Sequence, residues 1–261
     1  MLVGELERKL LSVIPEEVAE PWDRTGMLVG NPGSEVARVA VALDPTIDAI
    51  DFARSHDCNV LLTHHPLFLD PPQEIKPFGQ THDAVGARVW HAIESGVSIL
   101  SFHTALDANP LASEVLSRPL GIELTGEMLE GVPAHGGYGY GRIGIPSAKS
   151  LGELSQRCVQ VFGRYARVWG DAAHPVGRAC CWTGAAGDSP QKCLEQDVDV
   201  LICGEVKYHV ALDAHELGLC IIELGHDVSE QVHCGVLIES LKTCGIPSDR
   251  ISLMPLPDYW C

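Results

Sequence analysis

The hydrophobic and polar positions of this chain follow two different periods. Short runs in which nearly every position is apolar, such as "VAVAL", "NVLL" and "VSIL", predict strands buried on both faces. Other segments carry apolar residues three and four positions apart and predict helices, as residues 4–13 do through Leu6, Leu10 and Val13. Strands that alternate with helices predict an α/β fold with mostly parallel pairing.

The second part of the chain repeats the order of the first. "VAVALDPT" corresponds to "ACCWTGAAGD", "NVLLTHHPLF" to "DVLICGEVKYH", and "VSILSFHTALD" to "LCIIELGHDVSE". This repetition predicts an internal duplication with two similar α/β halves, residues 1–125 and 126–261, either as two domains or as one intertwined domain. The Gly- and Pro-rich segment 108–150 is the expected crossing, and a cleft between the halves is the expected place for a metal site.

Composition narrows the functional classes. The 261 residues include 18 Lys and Arg against 35 Asp and Glu, so the formal charge of −17 disfavours nucleic acid as a partner. No apolar stretch approaches the 18 residues of a membrane span, and the first segment carries acids where a signal peptide is basic. The 10 cysteines form no C-x-x-C pair and predict small buried side chains in a reducing compartment. We expect a cytoplasmic protein without a membrane segment.

Candidate chemistry lies directly after three of the predicted strands. In open α/β sheets, ligands bind beyond the carboxyl ends of strands, so these side chains are candidates for a common site. They are His64 and His65, then His103 and Asp107, and finally His226 and Glu230.

The donor types in this set favour a metal centre. His103 and Asp107, like His226 and Glu230, are four residues apart, a spacing that places both members of a pair on one face of a helix. Imidazole and carboxylate without thiolate suit Zn, Fe or Mn. The set exceeds the needs of one tetrahedral ion, and two bridged ions activate water for hydrolysis. Each pair taken alone is more often a surface or helix-cap contact than a pair of metal ligands. The remaining histidines that we interpret as ordinary are His82, His91, His174 and His233.

At these residues the chain resembles the NGG-interacting-factor-three-like family, also known as dinuclear metal-centre hexameric proteins or GTP cyclohydrolase 1 type 2 homologues. The resemblance runs from residue 21 to 230 through "PWDRTGMLVG", "LLTHHPLF", "FHTALDA", "GEVKYHVALDA" and "LGHDVSE". It implies two similar α/β halves, assembly as a toroidal homohexamer, and two divalent metal ions. The ligands that it implies are His64, His65, Asp107, His226 and Glu230.

Several neighbouring residues have two interpretations. His103 is our candidate catalytic residue, and it can equally be a ligand or an orienting neighbour. Glu205 and His209 fit either a helix N-terminal acid with a turn-packing His, or a cleft wall near the metals. Trp22 is interpreted as an anchor of its loop and Asp23 as the cap of a turn.

Two functions fit this site. The first is a metal-dependent hydrolase in which a metal-bridging water attacks an unknown small molecule, with a GTP cyclohydrolase-like reaction as one form. The alternative is a non-enzymatic metal-binding ring for storage, delivery or regulatory scaffolding. An open coordination position beside convergent polar groups favours the enzyme, and a saturated site favours the ring.

Overall fold

The computed structural model describes residues 1–133 and 135–258. The chain divides into two compact units: unit 1 comprises Met1–Leu106 and His233–Cys261, and unit 2 comprises Asp107–Val232. This division differs from the expected boundary at residue 125. The physical reason is that the last strand of the chain returns to the sheet of unit 1, where it pairs with an early strand.

A five-stranded sheet forms the centre of unit 1. Its order is β1-β4-β3-β2-β11, in which β1 is antiparallel to β4 and the other pairs are parallel. The strands are β1 (Gly26–Val29), β2 (Val39–Ala42), β3 (Val60–Thr63), β4 (Ser98–Ser101) and β11 (Ile251–Leu253). All positions of β2, β3 and β4 are buried, as their continuous apolar runs predict.

Helices cover this sheet through apolar faces that their spacing predicts. They are α1 (Val3–Val13), α2 (Ile47–Ser55) and α3 (Ala84–Ser95), while α4 (Thr104–Asp107) and α9 (His226–Thr243) contribute residues to both units. The Thr46 hydroxyl accepts the Ala49 N–H at the start of α2, and Asp83 accepts the Gly86 N–H at the start of α3. Gly96, with a φ of 67°, ends α3 as predicted.

Unit 2 contains a six-stranded sheet of order β5-β6-β8-β9-β10-β7. The strands β8, β9 and β10 are parallel, and the outer pairs are antiparallel. The strands are β5 (Ile122–Gly131), β6 (Gly139–Pro146), β7 (Arg167–Trp169), β8 (Ala179–Cys181), β9 (Val200–Cys203) and β10 (Cys220–Glu223). The helices of unit 2 are α5 (Ser117–Leu120), α6 (Leu151–Phe162), α7 (Ser189–Glu195) and α8 (Tyr208–Glu216).

The segment 108–150 is more regular than its composition predicts. Within it, β5 and β6 form a long antiparallel pair. Gly139 and Gly141 have φ values of 157° and 68°, and a Cβ at either position would come within 3 Å of atoms on β5. These glycines therefore permit close strand pairing where a simple count of Gly and Pro indicates a loop.

The two sheets support the predicted internal duplication in detail. β2 and β3 begin in register at Val39 and Val60, and β8 and β9 begin in register at Ala179 and Val200. Asp57 and Asp197 precede β3 and β9 and are the two non-glycine residues with positive φ among those described, at 56° and 51°. Such matching backbone detail is consistent with two copies of one α/β unit.

The cysteines behave as the sequence predicts. All nine within the described residues are buried, and burial raises the pKa of the Cys158 thiol to about 12. They act as small apolar side chains. None of the described helices is long and apolar enough to cross a membrane.

Candidate metal centre

Three histidines of unit 1 lie together beyond the carboxyl ends of β3 and β4. These strands are parallel and in register through Thr63 and Ser101, so the residues that follow them leave the sheet side by side. One ligand atom from each of His64, His65 and His103 lies within 4.8 Å of the others. The sequence prediction that these strand ends bring histidines together is therefore confirmed for this unit.

Hydrogen bonds fix the rings of His64 and His65. His64 is fully buried, and its Nδ1 lies 3.1 Å from the Phe102 carbonyl oxygen. His65 Nδ1 lies 2.8 Å from Asp44 Oδ1. Both partners are acceptors, so each neutral ring donates from Nδ1 and presents Nε2 as its electron-pair donor. This second hydrogen bond is the arrangement that orients metal-binding histidines.

His103 has the same arrangement through Asp23. Its Nδ1 lies 3.1 Å from Asp23 Oδ1, and the Asp23 side chain has no exposed surface. Asp23 also accepts hydrogen bonds from the Thr104 backbone N–H at 2.9 Å and from the Thr104 hydroxyl. Burial raises the pKa of Asp23, but hydrogen bonds from His103 and Thr104 outweigh it and lower the pKa to about 2. Asp23 therefore does more than cap a turn: it connects its loop to His103.

His233 is not the ordinary histidine that the sequence predicts. It is 1% exposed, and its ring stacks on His64 with centroids 4.6 Å apart and an interplanar angle of 22°. The signal that was available is its position within the apolar run "VHCGVL", because a buried polar side chain requires partners. His64 is thus held by a hydrogen bond at its edge and a second imidazole on its face.

In unit 2, His226 and Glu230 begin helix α9. Their i, i+4 spacing places both on one face, as predicted, and His226 Nε2 lies 3.0 Å from Glu230 Oε2. The other nitrogen, Nδ1, lies 3.0 Å from Glu205 Oε1. His226 is 37% exposed and the Glu230 side chain is 5% exposed. Both ring nitrogens of His226 therefore face a carboxylate oxygen, and the carboxylate at Nε2 is the buried one.

The structure separates the two interpretations of Glu205. Glu205 precedes α8, which begins at Tyr208, so it is not an acid in the first turn of that helix. Its carboxylate instead orients His226. His209 contacts the ring of Tyr208 at a centroid distance of 5.3 Å. Only the first of these two residues belongs to the candidate site.

Two glycines make room for the start of α9. A Cβ on Gly184, whose φ is +66°, would lie 2.1 Å from Glu230 Oε1. A Cβ on Gly204 would lie 2.6 Å from Ser229 Oγ and 2.5 Å from the Gly184 carbonyl oxygen. Ser229 Oγ accepts the Gly184 N–H at 2.9 Å. In the aligned repeats, Gly204 occupies the position of His64. The second copy therefore has a glycine where the first has a histidine, and this glycine leaves room for the helix turn that carries Glu230.

Asp107 lies at the end of α4, a helix of only four residues that begins after His103. Its Oδ1 is 3.5 Å from the Thr183 hydroxyl in unit 2. The two H-x-x-x-acid pairs are offset by one residue relative to the strands that precede them. His103 is the second residue after β4 and His226 is the third after β10. The shared motif does not reveal this one-residue difference, because the loop between a strand and the next helix can change length while the motif is kept.

The donor chemistry of these groups fits a divalent metal. Four imidazoles have Nδ1 beside an oxygen acceptor, which orients their rings. Carboxylates at Asp107 and Glu230 add oxygen donors, whereas the described cysteines lie in the cores. Nitrogen and oxygen donors without thiolate suit Zn, Fe or Mn. The Glu230 carboxylate lies in the space that the missing side chain of Gly184 leaves, which we call the Gly184 cradle.

Known proteins with similar sequences cover nearly the whole chain. The sequence model of Duf34/NIF3 (NGG1p interacting factor 3) matches residues 1–251. A protein of Clostridium acetobutylicum named GTP cyclohydrolase 1 type 2 homolog is 27% identical over 87% of this chain and 85% of its own length. One of the same name from Campylobacter jejuni is 26% identical over 93% and 92%.

Solved structures show the same fold. A Bacillus cereus protein related to NIF3 superposes with a TM-score of 0.84 at 22% identity, covering 98% of this chain and 97% of that one. A Staphylococcus aureus protein gives a TM-score of 0.82 at 21% identity, covering 100% and 99%. At these identities the similarity establishes the architecture.

The buried hydrogen bonds of Asp23 generate a pH-dependent prediction. The Asp23→Asn variant should lose roughly 2 kcal/mol of unfolding free energy at pH 7. The folded-state pKa of about 2 lies below the usual value of 3.8. The carboxylate therefore stabilises the fold above about pH 4, and this contribution disappears as the pH falls toward 2. Urea unfolding of both proteins from pH 2 to 7 measures it.

Asp51→Asn is the matched control, because Asp51 also contacts a histidine, His91, but is 56% exposed. This variant should lose less than about 1 kcal/mol of unfolding free energy. The stabilising role of the Asp23 carboxylate would be contradicted if Asp23→Asn lost no more unfolding free energy than Asp51→Asn at pH 7. It would also be contradicted if the loss in Asp23→Asn did not shrink in acid.

The Gly184 cradle generates a second prediction. Gly184→Ala should destabilise the fold more than Gly187→Ala, which also has positive φ but has open space around its Cβ. The control carries only the backbone cost of about 1–2 kcal/mol. The double variant Gly184→Ala, Glu230→Ala should lose less unfolding free energy than the two single variants together, because Glu230→Ala removes the carboxylate that the new methyl group would meet. Strict additivity in chemical denaturation would show that the carboxylate does not occupy this position.

Proposed function

Because the chain belongs to the Duf34/NIF3 family, we propose that it binds two divalent metal ions through His64, His65, Asp107, His226 and Glu230. The observation that supports this proposal is the orientation of His64 and His65, whose Nδ1 atoms are each held by an oxygen acceptor. Outer hydrogen bonds of this kind raise the basicity of a metal ligand and fix its ring.

Two ions account for this ligand set better than one. A tetrahedral ion needs four donors, whereas the set offers three imidazoles and two carboxylates that can each supply two oxygens. The donors suit Zn, Fe and Mn, and metal availability in the cell decides among them.

We propose that the bound protein is a metal-dependent hydrolase that acts on a small molecule. Two adjacent ions supply an activated water near neutral pH and polarise a carbonyl or phosphoryl oxygen. The curated relatives are named for GTP cyclohydrolase, and opening of a GTP-like purine ring is the specific form of this proposal.

His103 is the proposed proton carrier of the reaction. Asp23 accepts from Nδ1, so the remaining nitrogen, Nε2, is the atom that accepts or delivers a proton. Its ligand atoms lie with those of His64 and His65, and its side chain is 17% exposed. The ring is thus fixed in place and still reached by solvent.

The alternative is a metal-binding ring for storage, delivery or regulatory scaffolding. The observation that favours it is the burial of His64 at 0% and Glu230 at 3% exposure, because a closed site retains metal without turnover. The partial exposure of His226 favours the enzyme, since a substrate needs an approach to the metals.

Assembly and location complete the proposal. We propose a homohexamer, as the resemblance to dinuclear metal-centre hexameric proteins implies. A cytoplasmic location is supported by the nine buried cysteines of the described residues, whose burial is typical of a reducing compartment.

The ligand assignment predicts metal loss without unfolding. Asp107→Ala and Glu230→Ala should each reduce the metal content from two ions per chain to one or none, because each removes a donor of a shared centre. Elemental analysis together with circular dichroism measures both effects. Glu239→Ala is the matched control, since Glu239 lies on the same helix as Glu230 and its side chain is 70% exposed. Full metal occupancy in both ligand variants would refute the assignment.

The hydrolase proposal predicts metal-dependent turnover on a panel of phosphoesters, nucleotides and cyclic amides. His103→Gln should reduce kcat by about 100-fold or more while metal content is retained, because general acid–base catalysis contributes rates of this order. His174→Gln, in unit 2, is the control. If the metal-loaded protein turns over no member of the panel, the storage or scaffold function is preferred.

A further inference from the structure

Trp22 does not anchor its loop in the core, contrary to the sequence interpretation. Its side chain is 55% exposed. The indole ring meets His103 edge to face, with ring centroids 5.9 Å apart and an interplanar angle of 66°. A large aromatic face is therefore presented to solvent directly beside the histidine cluster.

Other residues hold this loop in place. The buried Asp23 carboxylate binds Thr104 and His103. The backbone N–H of Glu20 donates to the Thr104 hydroxyl at 3.0 Å. The indole thus stays exposed on a fixed support, and a ligand that stacks on it has no loop to order first.

Arg24 lies on the other side of Asp23 and is also exposed. Its Nε donates to the Leu69 carbonyl oxygen at 3.2 Å, which directs the guanidinium group without neutralising it. Among residues 1–133 and 135–258 it has no ion-pair partner. In a chain with 35 acidic and 18 basic residues, an exposed arginine of this kind beside a candidate site favours an anionic ligand.

We propose that Trp22 and Arg24 form a subsite for a phosphorylated planar ring, which is the chemistry of a mononucleotide. The ring stacks on the exposed face of the indole, and the phosphate pairs with the Arg24 guanidinium. Contact between Trp22 and His103 places the ring beside the histidines. The subsite deepens the proposed hydrolase function, because it names the substrate class, but its binding does not require the metals.

Three probes separate the two contacts: guanosine 5′-monophosphate, guanosine, and ribose 5-phosphate. Trp22→Leu should weaken binding of both guanine-containing probes about tenfold or more and leave ribose 5-phosphate unchanged, because only the stacking is lost. Trp22→Phe should restore most of the affinity. Arg24→Gln should weaken the two phosphorylated probes and leave guanosine unchanged, whereas Arg24→Lys should retain part of the phosphate contact. Calorimetric titration of each pair measures these dissociation constants.

Two variants control for general surface effects. Trp90→Leu removes another exposed tryptophan, on α3, and Arg8→Gln removes an exposed arginine whose Nε also donates to a backbone carbonyl. Neither should change binding of any probe. Thermal unfolding establishes that the loop variants remain folded.

Titrations of metal-loaded and chelator-treated protein separate this subsite from the proposed metal centre. Probe-selective losses in both preparations would support the subsite even if the metal assignment fails. Equal losses for all three probes, or no loss in Trp22→Leu, would overturn it. A change of sedimentation mass in Trp22→Leu without a change in probe binding would show instead that Trp22 contacts a second copy of the chain, and would also overturn it.

Discussion

Hydrogen bonds from Nδ1 determine what the candidate histidines can do. A neutral imidazole has one donor and one acceptor nitrogen, so an acceptor at Nδ1 decides that Nε2 carries the lone pair. The Phe102 carbonyl does this for His64, and Asp44 does it for His65. His226 differs, because carboxylate oxygens of Glu205 and Glu230 lie 3.0 Å from Nδ1 and Nε2 respectively. Loss of any of these acceptors would leave the ring in place but allow the other tautomer. The chemistry of the site therefore depends on residues that are not themselves proposed as ligands.

The duplicated fold places these acceptors after different strands in its two copies. In the first copy, Asp44 after β2 orients His65 after β3. In the second copy, Glu205 occupies the repeat position of His65 and orients a histidine at the start of α9. Gly204 takes the place of His64, and a side chain there would collide with Ser229. The equivalent strand ends thus carry a cluster of histidines in the first copy. In the second copy they carry glycines that leave room for the Glu230 carboxylate.

Much of the fold was predictable because its central strands are continuous apolar runs. β2, β3, β4, β9 and β10 are all buried along their whole length. The edge strands β1, β7 and β11 have only three or four residues, and they form because a partner strand accepts them. Local patterns do not contain that information. The return of β11 to β2 is the clearest case, since it joins residues near opposite ends of the chain.

Candidate ligands were also predictable, because histidines and acids that follow buried strands stand out in an apolar context. The orienting partners were not, since Asp23 and Glu205 lie far from their histidines in sequence and resemble ordinary turn acids. His233 was missed for a related reason: its contact with His64 depends on tertiary packing. Exposure of Trp22 likewise contradicted a reasonable preference for burying tryptophan.

Nitrogen-15 NMR of the histidine side chains tests the central claim most directly, because it reports which ring nitrogen carries the proton. Our account predicts that His64 and His65 are protonated at Nδ1 in the metal-free protein near neutral pH. Addition of Zn²⁺ should then shift only their Nε2 resonances, with the Nδ1 protons retained. Protonation at Nε2 in these residues, or zinc-induced shifts at Nδ1, would contradict it.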